Sequence, residues 1–382
     1  MRRSLCLGVC IALMGCSSAP EKPDPTPLER ITEVIELDDV ESIGLGGGDQ
    51  TGLSPASSDG AIAAASATGE VYLLDQQLNE LWNVDLDQTI VGGVGANATA
   101  VYVVTTDAKL VALSRDNGST LFEVALPSSS TVPPLATETL VFVKTQIGRL
   151  LAIDVITGEI VWLEEAQESG VGIRGGAPMT LAGDVLFVLW ESGRIVAYQR
   201  DTGRILWERQ VAVSRGRSPL ERIVDSKGAP SVRNNQVATA TRNGQVSLLD
   251  ARSGQVIWSL DADAYPGVLL AFNAVTVVET DGTISAYSAQ SGESLWTNEA
   301  LKYRELSPPV VIADAIGVVD LEGELHLLDP TNVALIGRLD VGGYKGKVAP
   351  VATETGVLIQ LLDGRLVPQE PVYGKPQVLR AW

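Results

Sequence analysis

The sequence predicts an all-β fold: an eight-bladed β-propeller of four-stranded antiparallel blades, closed into a ring by an N-terminal strand. Three observations carry this prediction. One segment type recurs eight times, beginning at Thr68, Asp107, Ile147, Ser192, Asn243, Asp281, Glu322 and, in degenerate form, Asp363. The spacing of roughly 40 residues is that of propeller blades. Each copy parses into β-rich runs of about six residues separated by Gly-centred turns, as in Asp184 to Gln210, "DVLFVLW-ESGR-IVAYQR-DTGR-ILWERQ". An aromatic residue recurs on the last run of six copies: Trp82, Phe122, Trp162, Trp207, Trp258 and Trp296.

The chain divides into residues 1–15, a signal peptide; 16–28, a lipidated N-terminus and flexible tether; and 29–382, the propeller. "MRRSLCLGVCIALMG" has two arginines, a short apolar run and small residues, the order of a secretory signal and too short to span a bilayer. Leu13-Met14-Gly15-Cys16 resembles the lipobox of bacterial lipoproteins, which implies acylation of Cys16 and cleavage before it. Ser17 resembles the following residue in lipoproteins sorted to the outer membrane. The stretch "SSAPEKPDPTP" is Pro-rich and apolar-poor, a tether rather than a packed element. With Cys6 and Cys10 leaving in the signal and Cys16 consumed by lipid, no intramolecular disulfide and no Cys-based site is expected.

Arg30 to Leu37, "RITEVIEL", alternates in character and precedes the first copy. It is expected to join the final, C-terminal blade as its missing strand, because a ring must blunt its edges to close. Glycines 69, 148, 193, 244, 282, 323 and 364 recur at one turn, and 158, 203, 254 and 292 at the next. The recurrent tryptophan is read as a rivet packed on the next blade, not as a site. The pattern at Ala152, Asp154, Thr157, Gly158 and Trp162 resembles the tryptophan-docking motif of pyrroloquinoline-quinone propellers. That resemblance speaks for fold, not function.

The net charge of −19 excludes nucleic acid and anionic headgroups as favoured partners, since phosphate binding needs a basic face. "GVGIRG", Gly170 to Gly175, matches G-x-G-x-x-G but has no helix after it to receive a phosphate. Its meaning lies in its position. The connections "LEEAQESGVGIRGG" and "RQVAVSRGRSPLERIVDSKG" are the two longest between copies, and they flank one blade. Strand alternation sends both out on the face of the Gly193 and Gly244 turns. Val171 and Ile173 are apolar, with Arg174 beside them, in a loop with no obvious core to join. They either anchor a partner or pack back on the blade edge.

Lipobox, tether, eight quinone-propeller-like copies and paired loops reading "GVGIRGGAP" and "LERIVDSKGAP" together resemble the BamB family, over Cys16 to the C-terminus. These are lipoprotein subunits of the outer-membrane β-barrel assembly machinery of Gram-negative bacteria. The resemblance implies an outer-membrane lipid anchor, a periplasmic body, docking to a POTRA domain of BamA, and unfolded outer-membrane proteins as clients. It implies neither cofactor nor catalysis. By position it puts partner-binding roles on Val171, Ile173, Arg174 and Asp225. A second acidic position falls on Lys227, a departure for which Glu221 is the candidate compensating carboxylate.

The rival reading is a dehydrogenase dependent on pyrroloquinoline quinone, whose vicinal cysteine pair and Ca²⁺-binding oxygen cluster have no counterpart evident here. His326 is the only histidine and falls on a strand, as a packed or rim residue rather than a base. Asp154, Asp250 and Asp329 stand before turns, where carboxylates bond nearby backbone N–H groups. A scaffold for another envelope complex remains the third class.

Overall fold

The computed structural model describes residues 23–37, 42–47, 53–166, 176–213, 224–312, 314–342, 350–353, 356–361, 363–369 and 371–373. They form eight four-stranded antiparallel sheets and one two-stranded ribbon. Seven blades are simple meanders, at 56–85, 90–125, 135–165, 180–210, 231–262, 267–298 and 310–340. The eighth takes Val351–Ala352, Val357–Gln360 and Arg365–Gln369 from the C-terminal end, and its outer strand, Ile43–Gly44, from the N-terminal end.

The two middle strands of a blade are covered on both sides by neighbouring blades. They therefore read as unbroken apolar runs such as Ala61–Ala65 and Val185–Leu189, whereas outer strands alternate. The core is accordingly eight slabs, one at each junction. Val101 and Leu113 meet Ala63 and Leu73 between blades one and two, and Leu358 and Leu366 meet Ile62 and Leu74 where blade eight meets blade one.

The outer-strand aromatics dock on the next blade, as the sequence predicts. Trp82, Trp162, Trp207, Trp258 and Trp296 each donate their indole N–H to a carbonyl there, for example Trp162 Nε1 to Arg200 O at 2.9 Å. For the first four the ring lies over the turn glycine of that blade, whereas the blade-seven turn under Trp296 carries Val333 at positive φ instead. A Cβ on Gly203 would come within 2.8 Å of the Trp162 ring, and Gly203 also has φ +69°. At the other turn the glycine pattern is looser: Ala108 carries the positive φ in blade two, and Asn243 rather than Gly244 carries it in blade five.

The closing strand departs from the expectation for residues 30–37. Ile35–Leu37 pairs with Pro371–Tyr373, beyond the end of the blade's third strand, while Ile43–Gly44 completes the sheet by pairing with Leu366 and Arg365. The reason lies in blade seven, where Gly337 stands at the rivet position. The N-terminal backbone fills the space: a Cβ on Gly337 would lie 2.8 Å from Ile35 O, and Val34 N–H donates to Ile336 O at 2.7 Å. Ile35 joins the slab between blades seven and eight.

Trp162→Ala removes a nearly buried ring stacked on Tyr198 and an interblade hydrogen bond. It is expected to cost about 3–5 kcal/mol in denaturant unfolding; a cost below about 1 kcal/mol would refute the rivet role.

Candidate partner-binding loops

Val171, Ile173, Arg174 and Glu221 lie outside the described residues, as does Cys16. The roots of both long connections are described. Ala166 N–H donates to Gly148 O at the start of the first, and Val211 and Ala212 N–H to Gly193 O at the start of the second. A Cβ on Gly193 would lie 2.5 Å from Ala212 O, and one on Gly244 2.9 Å from Ala212 Cβ. Both connections thus leave from the face that carries these turns.

The first connection returns against a buried lysine. Lys144, 2% exposed, donates from Nζ to Ala177 O (3.2 Å) and Leu189 O (3.0 Å), pairs with Glu191 Oε1 (2.9 Å) and lies 5.4 Å from the Trp190 ring centroid. Gly176 has positive φ, and a Cβ there would run into the Glu191 carboxylate. Sequence reasoning missed Lys144, although a signal existed. The matching positions in other copies are Ala65, Val104, Leu189, Ala240, Val278, Val319 and Gln360, so a lysine is the outlier.

The second connection returns through Val224, Asp225 and Ser226, all buried. Asp225 Oδ1 accepts from Ser226 N–H at 2.7 Å, and its carbonyl accepts from Arg242 N–H at 2.8 Å. Lys227, half-buried, donates its N–H to Tyr265 O, and the Arg242 guanidinium lies 5.7 Å from the Tyr265 ring centroid. Burial first, and the Asp225 charge second, push the Tyr265 hydroxyl pKa up. At 2% exposure, Asp225 is part of the loop's footing.

Residues 50–298 match the family described as outer membrane protein assembly factor BamB. The chain belongs to the BamB family. The BamB of Pseudomonas aeruginosa is 31% identical over 367 residues, 94% of this chain and 96% of that protein. The BamB of Bordetella pertussis is 28% identical over 96% of each. The crystal structure of BamB from Moraxella catarrhalis superposes with a TM-score of 0.80 at 28% identity, over 87% of this chain and 99% of that one. The quinohemoprotein alcohol dehydrogenase of Comamonas testosteroni, at 14% identity and a TM-score of 0.66 over 90% of this chain and 78% of that one, is similar in fold alone.

The non-catalytic reading agrees with membership of the BamB family, and the polar residues that invited a catalytic one have structural work. Asp154 accepts from the Ile156 and Thr157 amides, and the Thr157 bond above all holds its carboxyl below the usual range. Asp250 and Asp329 do the same in their turns. His326 is wholly buried in blade seven. Its Nε2 is 2.9 Å from Asp320 Oδ2, and Arg338 Nε donates to its Nδ1 at 3.3 Å. An acceptor role for Nδ1 assigns the neutral, Nε2-protonated tautomer.

Burial pushes His326 below its ordinary pKa of 6.5, with Arg338 and Arg304 acting in the same direction against Asp320. Burial alone would raise Asp320, but bonds from His326, Arg304 and the Glu324 amide hold it below its usual 3.8. Both folded values lie below the unfolded ones, so the unfolded chain binds these protons first. Their stabilisation is complete above about pH 6.5 and drains as pH falls, the histidine's share first and the aspartate's below about pH 4.

Two outcomes follow for measurement. The unfolding free energy should fall from about pH 6.5 downward by up to about 1.4 kcal/mol per pH unit for the His326 proton, and His326→Gln should flatten that limb. Lys144→Met should destabilise by about 2–3 kcal/mol in denaturant unfolding, chiefly from two carbonyls left buried without a donor.

Proposed function

We propose that this BamB-family protein is a non-catalytic, periplasm-facing scaffold of outer-membrane protein assembly, held to the outer membrane by lipid on Cys16. It docks a POTRA domain of BamA through the connections at 167–175 and 214–223. The observation behind this reading is that two adjacent long connections share one propeller face. Their roots are bonded to a rigid ring on both sides of blade four. Loops carried on a rigid scaffold are where recognition residues concentrate.

In this reading Val171 and Ile173 are apolar anchors and Arg174 is the charged one. Asp225 and Lys227 shape the base of the second connection, and Glu221 supplies the carboxylate that Lys227 does not. Unfolded outer-membrane proteins are the clients that such a docked scaffold helps present.

Affinity purification from mildly solubilised membranes tests this. The wild-type chain should recover a POTRA-bearing barrel protein, and Arg174→Glu and Ile173→Asp should lose it, at about 2 kcal/mol or more of binding energy each. Both variants should keep the wild-type unfolding midpoint. Retention of the partner by both would refute the loop assignment, and recovery of an unrelated partner would refute the assembly role.

A further inference from the structure

The segment 23–35, which the sequence presents as tether and closing strand, runs from the connection between blades six and seven along the outer edge of blade seven in a series of specific contacts. Thr26 N–H donates to Lys302 O at 3.0 Å, and Thr26 O accepts from Arg304 Nη1 at 3.0 Å. Glu29 O accepts from Arg338 Nη1 at 2.8 Å. Leu28 packs on the slab formed by Leu301, Leu306 and Ile316. Farther along, Val34 and Ile35 occupy the space left by Gly337.

The arginines are held in place from below. Arg304, 3% exposed, donates from Nε to the wholly buried Asp320 at 2.6 Å and pairs with Glu322. Asp320 also holds His326, and His326 meets Arg338. The two donors for the segment's carbonyls, Arg304 buried and Arg338 half-buried, therefore belong to one cluster around the buried Asp320 and His326. Pro23, Pro25 and Pro27 pre-extend the segment, which lowers the entropy lost on docking.

We infer that Arg304, Asp320, His326 and Arg338 form a docking site for the chain's own membrane tether, so that the propeller hangs from the edge of blade seven on a short leash. The inference rests on the lipid reading of Cys16. From Cys16 to Thr26 there are ten Cα–Cα steps, at most about 36 Å when extended. In an eight-membered ring blade seven is opposite blade three. The long connections beside blade four are thereby held on the far side from the anchor.

The test uses the full lipidated chain on phosphatidylethanolamine–phosphatidylglycerol vesicles carrying a headgroup quencher. A dye is placed on blade seven through Asn332→Cys or on blade three through Ile156→Cys. Quenching should be stronger at blade seven, and Thr26→Pro, which removes the Thr26 N–H and leaves the body untouched, should reduce that difference. Separately, Arg304→Met should speed hydrogen exchange of the Thr26 amide roughly tenfold, the factor expected for one lost hydrogen bond. Equal quenching at both sites in the parent chain, or a Thr26 amide already exchanging at the unprotected rate, overturns the inference. Cys16→Ser separates the premises. If it still binds vesicles the lipid reading and the leash fall together, whereas the exchange data report on docking alone.

Discussion

The ring depends on one contact made at five of its eight junctions: an outer-strand aromatic ring laid on the turn glycine of the next blade, with the N–H of each indole among them bonded to a carbonyl there. A single blade buries little on its own, because both faces of its middle strands are apolar. The Trp162–Gly203 type of contact brings the slabs into register and closes them to water. It constrains both partners, since the glycine has no room for a Cβ and adopts positive φ.

Where the repeat is broken, other chemistry takes over. At Gly337 the indole is missing, and the N-terminal backbone enters the gap. At Lys144 an apolar position holds a cation, whose donors tie the long connection's return to blades three and four. Asp320, in a column that elsewhere holds Ser66, Thr105, Thr145, Trp190, Thr241, Glu279 and Leu361, gathers His326 and Arg304 beneath the tether. Buried charge is costly unless fully paired, so it persists where it holds an irregular segment in one arrangement.

Ring size, strand count and the rivet role of the tryptophans were legible from the sequence because they repeat. Eight copies make an aromatic, a glycine and a turn carboxylate stand out by period alone. The two connections beside blade four were legible as interruptions of that period, and so was the face they leave from, through strand alternation. The burial of Asp225 was not legible. An aspartate in a polar loop reads as exposed, and only the packing of Arg242 and Tyr265 above it shows otherwise.

The sequence by itself determined the architecture, because blade formation is local: each copy carries its own strands, turns and docking aromatic. What the tertiary structure decided was pairing between distant segments. Alternation marked residues 30–37 as a strand, yet their partners are Tyr373, Val372 and Pro371, while Ile43 and Gly44 complete blade eight. Nothing within a strand encodes its register with a partner some 330 residues away. That register is set by the vacancy at Gly337 and by Arg304 and Arg338, which receive the tether, and both exist only once the ring has closed.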